Sequence, residues 1–330
     1  MEDALLRLES LNAEFVTPEG VVNAVNNVSL SIRRGQTVAL MGESGSGKTS
    51  VGLCILNLLP HPGRITAGRV VYDGSDLLEL TAEEMRHVRG REIAMVFQDP
   101  STGLNPVLSV GQQVEEAITA HLDVSRREAR QRSLEVLAAM GLPEPEDVVK
   151  RYPFQLSGGM AQRVMIAIAT ALEPRVLILD EPTSALDVTV QAAILEDLKS
   201  LQRRQSTSLL LITHDLGVVA QMADEVAVMY AGSIAERAMS ITLFGRPRHP
   251  YTWSLLGSRP RRDRDGEGRL TAIRGVPPSL VDLPDRCAFL PRCPKATNAC
   301  RTDPAPPLVE LETQHHVACY NPIYQNEAAK

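Results

Sequence analysis

Apolar positions in the first third of the chain fall into strand-length runs broken by turn residues: Leu5 to Phe15, Val21 to Ile32, then Thr37-Val38-Ala39-Leu40-Met41, which leads straight into a glycine-rich turn. Lys48 to Leu59 follows as an apolar stretch of helical length, so the local order predicted is strand, loop, buried helix. From Val110 to about Ala171 the period becomes helical. Val114, Ile118, Leu134, Leu137 and Met140 recur at that spacing, and Ser125 is placed to cap a helix start. Two short apolar runs, Val176 to Leu179 and Ser208 to Thr213, flank a helical segment from Val188 to Gln205, the signature of parallel βα units. Ser258 to Gly268 is almost without apolar residues and reads as a linker, after which a proline-rich tail begins. The predicted class is α/β. Residues 1–257 form one cassette with a helical insertion at about 100–172, and 258–330 hold the linker and a small extension.

Composition narrows the function. A chain of 330 residues with 44% apolar and 22% charged residues can bury a real core and hold two packed units. Its formal charge of −6 and the lack of any dense Lys/Arg stripe argue against nucleic acid as a partner. The longest apolar runs fall well short of the roughly 20 residues a spanning helix needs. Met1-Glu2-Asp3-Ala4 has no basic segment followed by an apolar core, so a cytosolic location is expected. Of five cysteines, Cys54 stands alone in an apolar stretch and reads as core packing. Cys287, Cys293, Cys300 and Cys319 crowd the tail, which in a reducing compartment points to a metal site more than to disulfides.

Three motifs carry chemistry. Gly42, Glu43, Ser44, Gly45, Ser46, Gly47, Lys48 and Thr49 match the P-loop template, in the required context of a strand before and a helix after. Glycines let the backbone aim N–H groups at phosphate oxygens, Lys48 supplies a cation and Thr49 a Mg²⁺ ligand. Asp180 ends four aliphatic residues and fits a strand-end carboxylate that holds Mg²⁺, while Glu181 lies where a general base for an attacking water is needed. Ser157, Gly158 and Gly159 precede a helix-like stretch and form a second anion cradle; a plain helix cap at Ser157 is the bland alternative, which the accompanying motifs weigh against. Two phosphate grips in one chain point to a nucleotide clamped between two copies.

With these motifs in hand the chain resembles the ATP-binding subunit of an ATP-binding cassette (ABC) transporter over about residues 1–255. The resemblance rests on Walker A at 42–49, the Q-loop at Gln98, the signature from Leu156 to Gln162, and Walker B at Asp180 and Glu181. The D-loop, Ser184 to Asp187, and the H-loop, His214, complete it. It implies an ABC ATPase cassette: a P-loop RecA-like core with an antiparallel β subdomain and an inserted α-helical subdomain. It also implies a head-to-tail pair of ATPase subunits, identical or paralogous, in which ATP on one Walker A is capped by the partner copy's signature loop. By the same resemblance His214 touches the γ-phosphate, Gln98 senses Mg²⁺ and the attacking water, Phe15 stacks on adenine, and Asp187 belongs to the nucleotide site. Asp99 to Pro106, Arg151-Tyr152-Pro153 and His249-Pro250-Tyr251-Thr252 are similar to the peptide and nickel importers. The resemblance thus implies a peripheral subunit on the cytoplasmic face of the inner membrane, powering import of oligopeptides or dipeptides. Its partners are two transmembrane permease subunits and, indirectly, an extracytoplasmic solute-binding protein. A nickel or metal-chelate importer is the alternative; its ATPases are often shorter and lack a cysteine tail.

The tail itself spaces its cysteines by six, seven and nineteen residues, which fits neither the tight zinc pattern nor the ferredoxin run. Four thiolates suit either a [4Fe–4S] cluster or tetrahedral Zn²⁺, and an unligated or disulfide-linked state stays open. The resemblance to the C-terminal extension of oligopeptide and dipeptide importer ATPases implies the iron–sulfur cluster at Cys287, Cys293, Cys300 and Cys319. His315 and His316 read as loop residues. The tail is expected to lack a core of its own, leaving a bound ion to order it.

Overall fold

In chain order the strands are β1 (Ala4–Thr17), β2 (Gly20–Arg33), β3 (Thr37–Met41), β4 (Gly63–Tyr72), β5 (Ser75–Asp76), β6 (Ile93–Val96), β7 (Val176–Asp180), β8 (Ser208–Thr213), β9 (Glu225–Tyr230), β10 (Ser233–Met239), β11 (Val309–Glu312) and β12 (His315–Val317). The helices are α1 (Lys48–Ile55), α2 (Ala82–Val88), α3 (Pro100–Gly103), α4 (Val110–Thr119), α5 (Arg126–Ala139), α6 (Pro145–Val148), α7 (Gly158–Thr170), α8 (Val188–Gln205), α9 (Leu216–Met222), α10 (Ser240–Gly245), α11 (Pro250–Gly257) and α12 (Ala299–Thr302). This computed structural model describes residues 4–184, 186–258 and 273–324. The predicted linker therefore lies outside the described residues, apart from Ser258.

Two compact units divide the chain, one built from residues 4–7, Ser31–Thr37 and Val71–Thr213, the other from Leu8–Leu30, Val38–Val70 and the described residues after Thr213. In the first, β6, β7 and β8 form a parallel sheet, with Val96 opposite Leu179 and Asp180 opposite Ile212. Every residue of these strands is buried. That is the condition of a parallel sheet covered on both faces, and it explains why its strands read as unbroken apolar runs. The predicted helical stretch from 110 to 171 divides into four α-helices with a 3₁₀ turn at Pro153–Gln155. Ser125 caps α5 in a reciprocal box with Glu128, as its position predicts, and Ser109 does the same for α4 with Gln112. The buried stripe of α5 runs through Ala129, Ser133 and Leu137; Leu134 is only half-buried. Ser133 is tolerated there because its hydroxyl donates to the Ala129 carbonyl at 2.8 Å.

In the second unit β3 runs parallel to β9, and β9, β10, β12 and β11 continue antiparallel. The predicted helix from Lys48 to Leu59 ends earlier, at Ile55. Asn57 turns left-handed at φ +50°, the Leu58 N–H reaches back to the Leu53 carbonyl, and Leu58 is 40% exposed. Pro60 two residues on cannot continue a helix.

The tail departs further from expectation. Phe289, Cys300, Val317 and Ile323 are buried, and β12 pairs with β10 through Glu236 opposite Val317 and Ala238 opposite His315. It buries side chains into the second unit and extends its sheet. His315 is therefore a strand residue, fully buried, with Nε2 2.7 Å from Glu236 Oε1. Glu236 is itself fully buried and also accepts the backbone N–H groups of Arg248 and His249. The polar run Thr313-Gln314-His315-His316 hides this pairing from a reading of periodicity alone.

Candidate functional site

The buried strand β3 delivers the chain to Gly42, and the turn from there to Thr49 opens α1. Gly47 caps that helix at φ +99°, where a Cβ would fall 2.0 Å from the Ala24 carbonyl oxygen, so no other residue fits. It has no side chain to cap with, and no side-chain cap closes the start of α1, the kind of helix end at which an anion binds. Ser44, Gly45 and Thr49 are exposed, whereas Ser46 and Lys48 are buried. The Lys48 ammonium donates to the carbonyls of Gly42 and Glu43, both at 2.9 Å, and more weakly to Ser46 Oγ at 3.4 Å. A cation folded into its own loop in this way is ready to exchange carbonyls for phosphate oxygens. Phe15, half-buried near the end of β1, and His214, exposed after β8, belong to the same unit as this loop.

The first unit carries the other predicted residues. Asp180, 2% exposed, closes β7. Glu181 follows at φ +48°, a left-handed setting for a residue with a side chain, with its N–H held by the Ile212 carbonyl at 2.8 Å. Its carboxylate accepts from the Thr213 hydroxyl at 3.4 Å, and its carbonyl from the Ser184 hydroxyl at 3.0 Å. Gln98 is exposed two residues past β6. Asp187 caps α8 by accepting the N–H groups of Thr189 and Val190, and those bonds, with the Thr189 hydroxyl, hold its carboxyl below the usual range. Ser157 caps α7, accepting from the Met160 N–H at 3.3 Å, with Gly158 exposed beside it. Ser157 and Gly159 border a cavity of about 280 Å³ that Arg163 and Val190 also line.

The structure brings Cys287, Cys293, Cys300 and Cys319 to the walls of one small cavity, together with His249, Phe289 and Asn321. All four are free thiols. Burial raises the Cys287 and Cys293 thiols and pushes Cys319 up to about 12, with the neighbouring thiols acting in the same direction. Among the described residues no three His, Cys, Asp or Glu side chains are grouped to hold a metal ion. Cys54 lies fully buried in α1, its thiol pushed up to about 12 by burial, in keeping with core packing.

Sequence reasoning missed the surroundings of Glu43. Tyr251 Oη accepts its N–H at 2.9 Å, and Arg292 grips its carboxylate with two bonds, 2.6 Å and 3.0 Å. Tyr230, Tyr251 and Phe289 pack against one another beside them, with centroids 4.5 to 5.4 Å apart. The hint lay in Phe289-Leu290-Pro291-Arg292, a bulky apolar and basic segment between two cysteines, but no spacing ties it to residue 43.

Comparison with known proteins accords with this arrangement. The ABC transporter family model matches residues 25–184, and the model for the oligopeptide/dipeptide transporter C-terminal region matches 235–300. The dipeptide transport ATP-binding protein DppD of Bacillus subtilis is 48% identical over 299 residues, covering 90% of this chain and 89% of its own. The oligopeptide transport ATP-binding protein OppD of Escherichia coli is 45% identical over 321 residues, covering 97% and 94%. Among solved structures, the dimeric bacterial ABC transporter cassette MJ0796 aligns with a TM-score of 0.65 at 31% identity, over 71% of this chain and 98% of that one. The same cassette in a post-hydrolysis state bound to ADP and Pi aligns equally well. The chain belongs to the ABC transporter family, among the ATP-binding subunits of the oligopeptide/dipeptide type.

Proposed function

We propose that this chain hydrolyses ATP to drive import of oligopeptides or dipeptides, working as one of two ATPase subunits beneath two permeases on the cytoplasmic face of the membrane. A solute-binding protein hands over the cargo. The observation that carries the reading is a phosphate loop with an uncapped helix start and a Lys48 held among carbonyls, in a chain whose relatives over 87% or more of their length are peptide-transport ATP-binding proteins. The C-terminal match at 235–300 favours peptides over nickel.

In this reading the N–H groups of 42–49 and the Lys48 ammonium hold the β- and γ-phosphates, and Phe15 stacks on adenine. Thr49, Gln98 and Asp180 would hold Mg²⁺, which neutralises phosphate charge. Glu181 orients and deprotonates the attacking water while His214 steadies the γ-phosphate. Ser157, Gly158 and Gly159 of a second copy close over the nucleotide, with Asp187 in the loop that faces it. The domain division follows: a cassette over 1–257 with helices inserted at about 100–172, then the tail.

Cys287, Cys293, Cys300 and Cys319 fit a [4Fe–4S] cluster in donor type, since all four line one cavity. A tetrahedral Zn²⁺ would take the same four sulfurs at about 2.3 Å, and the described residues show no group of three or more ligands set for either ion. Such a cluster would cross-link the tail. Anaerobically purified protein is then brown and carries iron and sulfide, and a colourless protein with stoichiometric zinc overturns this assignment.

The function is tested with Glu181→Gln. It is expected to bind Mg²⁺-ATP and accumulate as a closed pair on size exclusion while turnover falls by about 10² or more. Turnover close to wild type removes Glu181 as the base; failure to pair removes the two-copy site.

A further inference from the structure

The phosphate loop contains an acidic residue where a polyanion must bind. Glu43 stands five positions before Lys48, and its carbonyl accepts from the Lys48 ammonium at 2.9 Å. An unpaired carboxylate there would repel a triphosphate. The structure supplies its partner from the far end of the sequence: Arg292, 249 residues on, meets Glu43 Oε2 at 2.6 Å and Oε1 at 3.0 Å in a bidentate fork. Its side chain is only 4% exposed.

Arg292 is itself fixed from several sides. Its Nε donates to the Arg274 carbonyl at 3.0 Å and Nη1 to Tyr230 Oη at 3.3 Å, and the guanidinium lies about 6 Å from the Tyr230 and Phe289 ring centres. It ends a single 3₁₀ turn, Leu290–Arg292, directly before Cys293, which lines the thiol cavity. With the N–H of Glu43 bound to Tyr251 Oη, residue 43 is pinned at its N–H, its carbonyl and its carboxylate. A loop so constrained loses little conformational freedom when it takes up phosphate.

We propose that Arg292 of the C-terminal segment is a positioning residue of the nucleotide site: it neutralises Glu43 and fixes the phosphate loop in its binding form. The tail thereby contributes to ATP affinity without touching ATP. This rests on the reading of 42–49 as an ATP-phosphate site, and it adds a dependence of that site on the segment around Cys293.

The test measures Mg²⁺-ATP dissociation constants by titration of the full-length chain, with circular dichroism and thermal unfolding as folding checks. Arg292→Ala is expected to raise Kd by about fivefold or more, with kcat at saturating ATP little changed. Arg292→Lys, which keeps charge without the fork, is expected to fall between. Adding Glu43→Gln to Arg292→Ala is expected to recover most of the affinity, because the stranded charge is gone; a purely structural role for Arg292 predicts no recovery. An Arg292→Ala protein that folds and binds ATP as wild type does overturns the proposal, as does a double variant no better than Arg292→Ala. Should the wild-type chain itself bind no nucleotide, the ATPase reading fails instead.

Discussion

Glycines in the phosphate loop are not equivalent. Gly47 and Gly45 both have positive φ, +99° and +77°, but a Cβ at Gly47 would strike the Ala24 carbonyl while one at Gly45 would meet nothing within 4 Å. Gly45→Ala is therefore expected to cost only the left-handed backbone penalty, about 1 kcal/mol, whereas Gly47→Ala adds a clash with immobile backbone and costs about 2 to 4 kcal/mol in total. Urea unfolding of the two variants checks the difference. The strand–loop–helix context of these residues was legible in the sequence because the P-loop pattern is local: Gly, Lys and Thr at fixed offsets need no knowledge of the rest of the fold. Glu43's partner was illegible for the converse reason, that a fork closed across 249 residues leaves no local trace.

Elements whose ends are set by nearby side chains were also readable. Asp187 and Ser125 cap α8 and α5 where the sequence places those helix starts. The end of α1 was not, since the apolar run continues past the turn at Asn57. One cap has a pH signature. His249, before α11, accepts the Tyr251 N–H on Nδ1 at 3.0 Å, a role only the neutral ring can fill. Burial lowers its pKa from 6.5 to about 4, with the Glu236 charge and a hydrogen bond to the Ala318 backbone acting the other way. The unfolded chain thus binds the proton more readily, so this contribution is complete above pH 6.5 and declines as pH falls towards 4, by up to about 3 kcal/mol. Thermal unfolding between pH 7 and 4 should show this loss, and His249→Asn, which keeps an acceptor that does not titrate, should flatten it.

For the molecule as a whole, the motifs identify the ATPase but say little of what its last 50 or so described residues do. Those residues have no long apolar run, because they bury single side chains: Phe289 and Cys300 at the thiol cavity, and Val317 in a strand added to a sheet begun elsewhere. Serine at Cys287, Cys293, Cys300 or Cys319 is expected to open this region to limited proteolysis before the rest of the chain is cut, with fragments read by mass spectrometry. The pairing of β12 on β10 carries a consequence for any shortened protein. Ended at Gly257, the chain would lose the strand that covers β10, baring a row of N–H and C=O groups able to recruit the same margin of another molecule. Glu236 would at once face solvent or apolar neighbours without its imidazole. Light scattering should find the trimmed cassette sticking to itself, so what looks like an ornament hung on the enzyme works as its hem.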